Sequence, residues 1–189
     1  MSENTRNHDL HTMQPNNNVG RSSPIMTLEQ FWNIVEKAHR ASGGDMDKKC
    51  ELLDAELRRL SLEEVRSFHG HFDECCDRAY SWELWAAAYI IGGGCSDDSF
   101  SDFRSTLVSM GRQTFERALT DPQSLADMDY DADVAHYEGY QYVPTTVERD
   151  LSGGQDFPRS RPHPKDPSGT IWDEDKVAEL YPKLAKKYD

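Results

Sequence analysis

The sequence predicts an all-α or strongly helix-rich single domain: a multi-helix bundle over residues 25–189, behind a flexible tail at 1–24 and ending in a loop-rich C-terminal third. Three observations carry that expectation. Apolar residues recur at steps of three and four through the first two thirds of the chain. Residues able to cap a helix stand just before each apolar stripe, and glycines follow several of them. At 189 residues the chain is also long enough to bury a core without disulfide staples.

The tail, residues 1–24, is rich in Asn, Ser and His, lacks apolar periodicity, and cannot offset the entropy of ordering. The first helix is expected from Thr27, whose hydroxyl and Gln30 form a capping box. Leu28, Phe31, Trp32, Val35 and Ala38 make its apolar face, and Gly43-Gly44 ends it. Asp45 starts a second helix with Met46, Cys50, Leu53, Leu57 and Leu60. Ser61 and Glu64 form another capping box for a third, carrying Leu62, Val65, Phe68 or His69, Phe72, Cys76 and Ala79. Ser81 caps a fourth, Trp82–Ile91, apolar nearly all round and so expected at the domain centre. Gly92-Gly93-Gly94 ends it. A further helix begins between Ser96 and Ser101 and carries Phe103, Leu107 and Met110. Gly111 is a packing point or a break, and Asp121-Pro122 is a boundary. Residues 123–138 hold one or two short acidic helices, and 139–170, with several glycines and prolines, are expected to be largely loop. Asp173 caps a last helix with Val177, Leu180 and Leu184, limited by Pro182.

Charge narrows the function. The formal net charge is −13, and residues 96–138 alone hold ten acidic against three basic groups. Such a chain repels nucleic acid and anionic lipid and favours a cationic partner. No apolar run is long enough for a membrane span, and the N-terminus lacks the apolar stretch of a signal peptide. Four cysteines without a CxxC pair fit free thiols in the cytoplasm.

The sharpest candidate site is GGGCSDDSFSDFR. Here Gly93 and Gly94 free the backbone, and Ser96, Asp97, Asp98, Asp102 and Arg104 follow. Two readings stand side by side: a ligand or partner site, or glycines ending one helix and acids capping the next. A divalent cation on Asp97, Asp98 and Asp102 would reverse the local field. The order is neither a Walker loop nor a dinucleotide fingerprint. A catalytic Cys95 or Ser96 would need a base brought by the fold, from His39, His69, His71 or His136.

Other patterns are weaker. Asp127, Asp129, Asp131, Asp133 and Glu138 fall at calcium-loop spacing, but Ala132 stands where the sharp turn needs glycine. HGHFDECC offers His71 and Cys75 on one helix face for zinc, while His69 points elsewhere. His8 and His11 could hold a metal only weakly. Trp32, Trp82, Trp85 and Trp172 sit at positions that favour core packing over partner anchoring.

Several segments carry a resemblance. YSWELWAAAYIIGGGCSDDSFSDFRSTLVSMGRQTFERALTDPQSLAD resembles the largely bacterial family known as domain of unknown function 4240. MTLEQFWNIVEKA is similar to the family's start, LRRLSLEEVRSFHGHFDE to its next helix junction, and GTIWDEDKVAELYPKLAKKY to its end, including Trp172 and Pro182. The resemblance spans residues 26–188 and departs at Thr106, where many members carry tryptophan. It implies a domain and supplies no activity, cofactor or catalytic residue. The functional expectation is therefore a non-catalytic intracellular binding or regulatory domain with an acidic surface for a protein with a basic face. The alternative is a small enzyme or divalent-metal-dependent ligand-binding protein centred on Gly92–Arg104.

Overall fold

The computed structural model describes residues 25–128, 131–159 and 161–189. The expectations for residues 1–24, His8 and His11 included, lie outside them. Ten α-helices are described: α1 (Leu28–Ser42), α2 (Met46–Leu57), α3 (Leu62–Arg78), α4 (Trp82–Gly92), α5 (Asp97–Ser109), α6 (Arg112–Thr120), α7 (Ala132–Ala135), α8 (Tyr142–Leu151), α9 (Val177–Leu180) and α10 (Pro182–Tyr188). Short 3₁₀ turns at Pro122–Asp127, Glu138–Gln141 and Glu174–Lys176 connect some of them. Among the described residues the only β pairing is an isolated parallel bridge between Ser81 and Ser168. No described helix is long and apolar enough to cross a membrane.

The expected caps form. Thr27 Oγ1 accepts from Gln30 N, while Gln30 Oε1 accepts from Thr27 N at 2.8 Å. Ser61 and Glu64 repeat the arrangement, and Asp45 and Ser81 cap α2 and α4. Gly43 (φ 65°) closes α1 in the left-handed region that glycine enters without strain. Gly111 is the break: at φ 89° it separates α5 from α6 and lies against Glu36.

Packing begins from an aromatic cluster. Phe31 meets Phe68 at 4.9 Å and Trp32 meets Phe115 at 5.4 Å between ring centres, which joins α1, α3 and α6. The buried stripe of α3 is Val65, Phe68, Phe72, Cys75 and Ala79. Cys75, not Cys76, is therefore the core thiol. The most enclosed helix is α5. Phe100 and every residue from Phe103 to Ser109 are buried, including Arg104, Ser105, Thr106 and Ser109. On α4, Leu84, Ala86, Ala87, Ala88 and Ile91 are buried, while Trp82, Trp85 and Tyr89 are half-buried.

The segment expected to be loop after residue 139 contains the ten-residue α8. Pro144 sits in its first turn, where the missing N–H is one that no helical carbonyl would accept. Val143 and Val147 then face the core. Residues 152–159 and 161–172 are the loop-rich part. They run back along α3, held by the Ser81–Ser168 bridge and by Arg159 on Asp73 and Asp77.

Lys49 breaks the polar-outside pattern. It is fully buried on α2, and its Nζ donates to Ser109 Oγ at 3.1 Å, with no carboxylate within ion-pair distance among the described residues. Burial pushes its ammonium down from the ordinary 10.5 to about 8. Between those values the unfolded chain holds the proton that the folded chain has lost. Lys49 thus makes stability rise with pH across that window, and its cost is fully present below it. Replacing Lys49 by Met is expected to stabilise the protein near neutral pH by roughly 3 kcal/mol, since each pKa unit is worth about 1.4 kcal/mol. It should also flatten the alkaline rise. Urea unfolding of both proteins near pH 7 and about pH 9.5 measures this. An equal pH response in the two would show that the amine reaches water in the native state.

Candidate functional site

The glycine-acid turn divides into two parts with different surroundings. Gly93 (φ 62°) caps α4, and its N–H returns to Ile90 O and Tyr89 O. Gly94 follows at φ 142°. Ser96 is the N-cap of α5, with Oγ accepting from Ser99 N at 3.2 Å. Asp97 and Asp98 lie exposed in the first turn of α5, where the helix dipole favours negative charge. Up to Asp97 the motif is thus helix termination and capping.

One turn on, the environment changes. Asp102 is half-buried and accepts from Gln141 Nε2 at 2.5 Å, while Ser101 Oγ donates to Gln141 Oε1 at 3.2 Å. Asp98, Asp102 and Glu138 line one open notch of ≈ 450 Å³ together with Gln141 and Tyr142. No basic side chain forms an ion pair with any of the three among the described residues. Desolvation, then the neighbouring charges of Glu138 and Asp98, push the Asp102 carboxyl up to about 6. Arg104, two residues further, turns away from the notch. It is only 6% exposed and donates to Phe100 O and, at 3.0 Å, to Cys76 O in the last turn of α3.

Arg104 opens onto a second cavity of ≈ 370 Å³ between α3, α5, the start of α8 and the returning segment, whose walls include His69, Asp77, Gln141, Arg159 and His163. The notch and this cleft share Ser101, Gln141 and Tyr142. At the cleft's other end, His69 Nδ1 meets the buried Glu148 carboxylate at 2.6 Å, and Arg66 approaches the same carboxylate at 3.4 Å. His69 Nε2 lies 3.5 Å from Thr145 Oγ1. The carboxylate fixes one ring nitrogen and so sets the orientation of the imidazole at the cleft wall.

The remaining candidates do not come together. His71 Nε2 lies 3.0 Å from Met26 O, on the other side of α3 from the His69–Glu148 pair. Cys75 is buried, its thiol pushed up to about 12 by desolvation. Burial also raises the Cys95 thiol to about 12, which keeps it protonated at neutral pH. Ser96 Oγ meets only Ser99, so no described histidine activates it. Asp127 pairs with Arg117, and Asp131 caps α7, while Asp129 lies outside the described residues. Among the described residues no group of three or more His, Cys, Asp or Glu side chains is arranged to hold a metal ion, Asp97, Asp98 and Asp102 included. Trp32 is a core residue at 1% exposure. Trp82 stacks on Trp85 at 5.2 Å and meets Trp172 edge to face.

Sequence reasoning took Glu138 only as the last position of a calcium-loop spacing, and missed Gln141, Glu148 and Arg159 as residues around the notch and cleft. They arrive from α8, the turn before it and the returning segment, all placed in an expected loop. The only signal was the spacing of Val143 and Val147 on one face.

The arrangement defines a helical domain carrying an acidic notch beside a guanidinium-lined cleft. Residues 26–148 match the family model described as protein of unknown function (DUF4240), and the chain belongs to that family. The resemblance of the Trp172–Pro182 region lies beyond the matched span. No curated protein and no solved structure matches the chain.

The two halves of the motif separate by substitution. Ser96→Ala is expected to cost about 1 kcal/mol through the lost cap. Asp98→Ala should stay within about 0.5 kcal/mol, as for an exposed residue without an ion pair. Urea unfolding of each variant measures both. A larger loss from Asp98→Ala would place it in the packing of α5.

Proposed function

We propose that the chain is a non-catalytic intracellular binding domain that docks a basic side chain of a partner protein in the Asp98–Asp102–Glu138 notch. One observation carries this reading: three carboxylates share an open notch with no counter-cation among the described residues. Their mutual repulsion is relieved by an incoming positive charge. Oxygen ligands of calcium must close to about 2.3–2.6 Å around one point. These carboxylates belong to no such group, whereas the longer reach of a lysine or arginine head spans spread-out acceptors. The four free thiols and the net charge of −13 agree with an intracellular protein that avoids nucleic acid and anionic membranes.

Binding of an oligo-arginine peptide to the full chain, followed by calorimetry, tests the reading. The expected affinity falls several-fold with Asp102→Asn and again with Glu138→Gln. It also falls as salt shortens the screening length from about 10 Å at 0.1 M to about 3 Å at 1 M. Because the Asp102 carboxyl is raised to about 6, the notch gains its full charge only above that pH. The peptide should therefore bind more tightly near pH 7.5 than near pH 5, by the ordinary titration of the carboxylate. Affinity indifferent to both substitutions would overturn the assignment of the notch.

A further inference from the structure

In a chain of net charge −13, two guanidiniums face one cleft with donors left over. Arg104 is more than nine-tenths buried, and its Nε and Nη1 are taken by the carbonyls of Phe100 and Cys76. Its flat faces lie against Tyr80 and Phe100, at 4.7 and 5.2 Å from the ring centres. No carboxylate pairs with it among the described residues, and its Nη2 has no acceptor there. Arg159, on the returning segment, bonds Asp73 through Nε at 2.9 Å and Asp77 through Nη2 at 3.0 Å. Its Nη1 is buried with no partner among the described residues. The two arginines also lie close enough to repel each other.

A buried charged donor without an acceptor is costly and rarely left so; Arg159 Nη1 is such a donor, and Arg104 brings a second guanidinium to the same cleft. We propose that this cleft is a binding site for a carboxylate, held between Arg104 Nη2 and Arg159 Nη1. The charge count selects the anion. Arg104 and Arg159 contribute two positive charges, and Asp73 and Asp77 cancel them. A phosphate dianion would add two negative charges beside those aspartates, and a carboxylate adds one. Guanidinium donors suit planar carboxylate oxygens. Phe157 and Tyr142 line the same cleft and supply apolar surface for the rest of the molecule. The cavity of ≈ 370 Å³ falls in the range of small-molecule sites. The ligand is thus a carboxylate with a small apolar body, either a free organic acid or the end of a partner chain. The cleft shares Ser101, Gln141 and Tyr142 with the acidic notch, but its two arginines belong to the cleft alone, and the proposal does not depend on what the notch docks.

The full chain, labelled with ¹⁵N, is titrated with phenylacetate, with inorganic phosphate, with benzylamine, and with a phenylalanine-ended tripeptide in free-acid and amidated forms. The expected result is saturable movement of the Arg104 and Arg159 Nε–H signals with phenylacetate or the free-acid peptide, and none with benzylamine or the amide. Binding of phenylacetate as tight as that of the peptide assigns a free acid. Binding of the free-acid peptide alone assigns a chain end. Arg159→Lys keeps the charge on Asp73 and Asp77 but removes the spare nitrogen, and affinity should drop about tenfold or more, the usual worth of a charged hydrogen bond. The proposal is overturned if neither carboxylate moves the two signals, if phosphate binds more tightly than either carboxylate, or if Arg159→Lys binds as well as the native chain.

Discussion

A helix enclosed on every side must find partners within the protein for each polar group it carries, and α5 is such a helix from Phe103 onward. Its second half buries Arg104, Ser105, Thr106 and Ser109 along with Phe103, Leu107 and Val108. Each of the four polar side chains finds at least one partner within the protein. Arg104 reaches the carbonyl of Cys76 near the end of α3. Ser105 Oγ donates to Asp102 O within α5. Thr106 Oγ1 donates to Tyr137 O. Ser109 Oγ receives the ammonium of Lys49 from α2. These bonds fix the rotation of α5 within its sleeve. The same rotation sends Asp102 to the notch and Arg104 to the cleft, so one register decides both surfaces.

Much of the helical framework was legible because it is written in local chemistry. Thr27, Asp45, Ser61 and Ser81 announce helix starts by their side chains alone, and the structure caps helices with each. Gly43 and Gly93 announce ends by their backbone freedom. What escaped depends on distant partners. Lys49 reads as a surface residue, and only the approach of α5 encloses it. Pro144 and the neighbouring glycines argued for loop around α8, and burial of Val143 and Val147 outweighed them. The candidate motif was read as one cluster. It is two, because Asp102 lies one turn beyond Asp98 on the same face of α5 and joins it at the notch, whereas Arg104, two residues further, turns to the cleft.

The electrostatics of the molecule are divided by depth. The exterior is strongly acidic, and its ion pairs, such as Arg78 with Glu116 and Arg58 with Asp150, are exposed and worth little each. Of the enclosed charges, Glu148 is paired with His69 and Arg66, while Lys49 and Arg104 have no carboxylate partner among the described residues. Backbone carbonyls, a serine hydroxyl and aromatic faces serve instead. Such dipolar partners soften the cost of burial without cancelling the charge.

The reach of Thr106 to Tyr137, 31 positions further along, has a consequence for synthesis. As the chain leaves the ribosome, α5 emerges well before the turn and helix that close over it. The side left waiting carries Ser101, Asp102 and Thr106, the residues that later meet Gln141 and Tyr137. A hydrated, hydroxyl-bearing strip tolerates that delay, where an oily one would invite strangers.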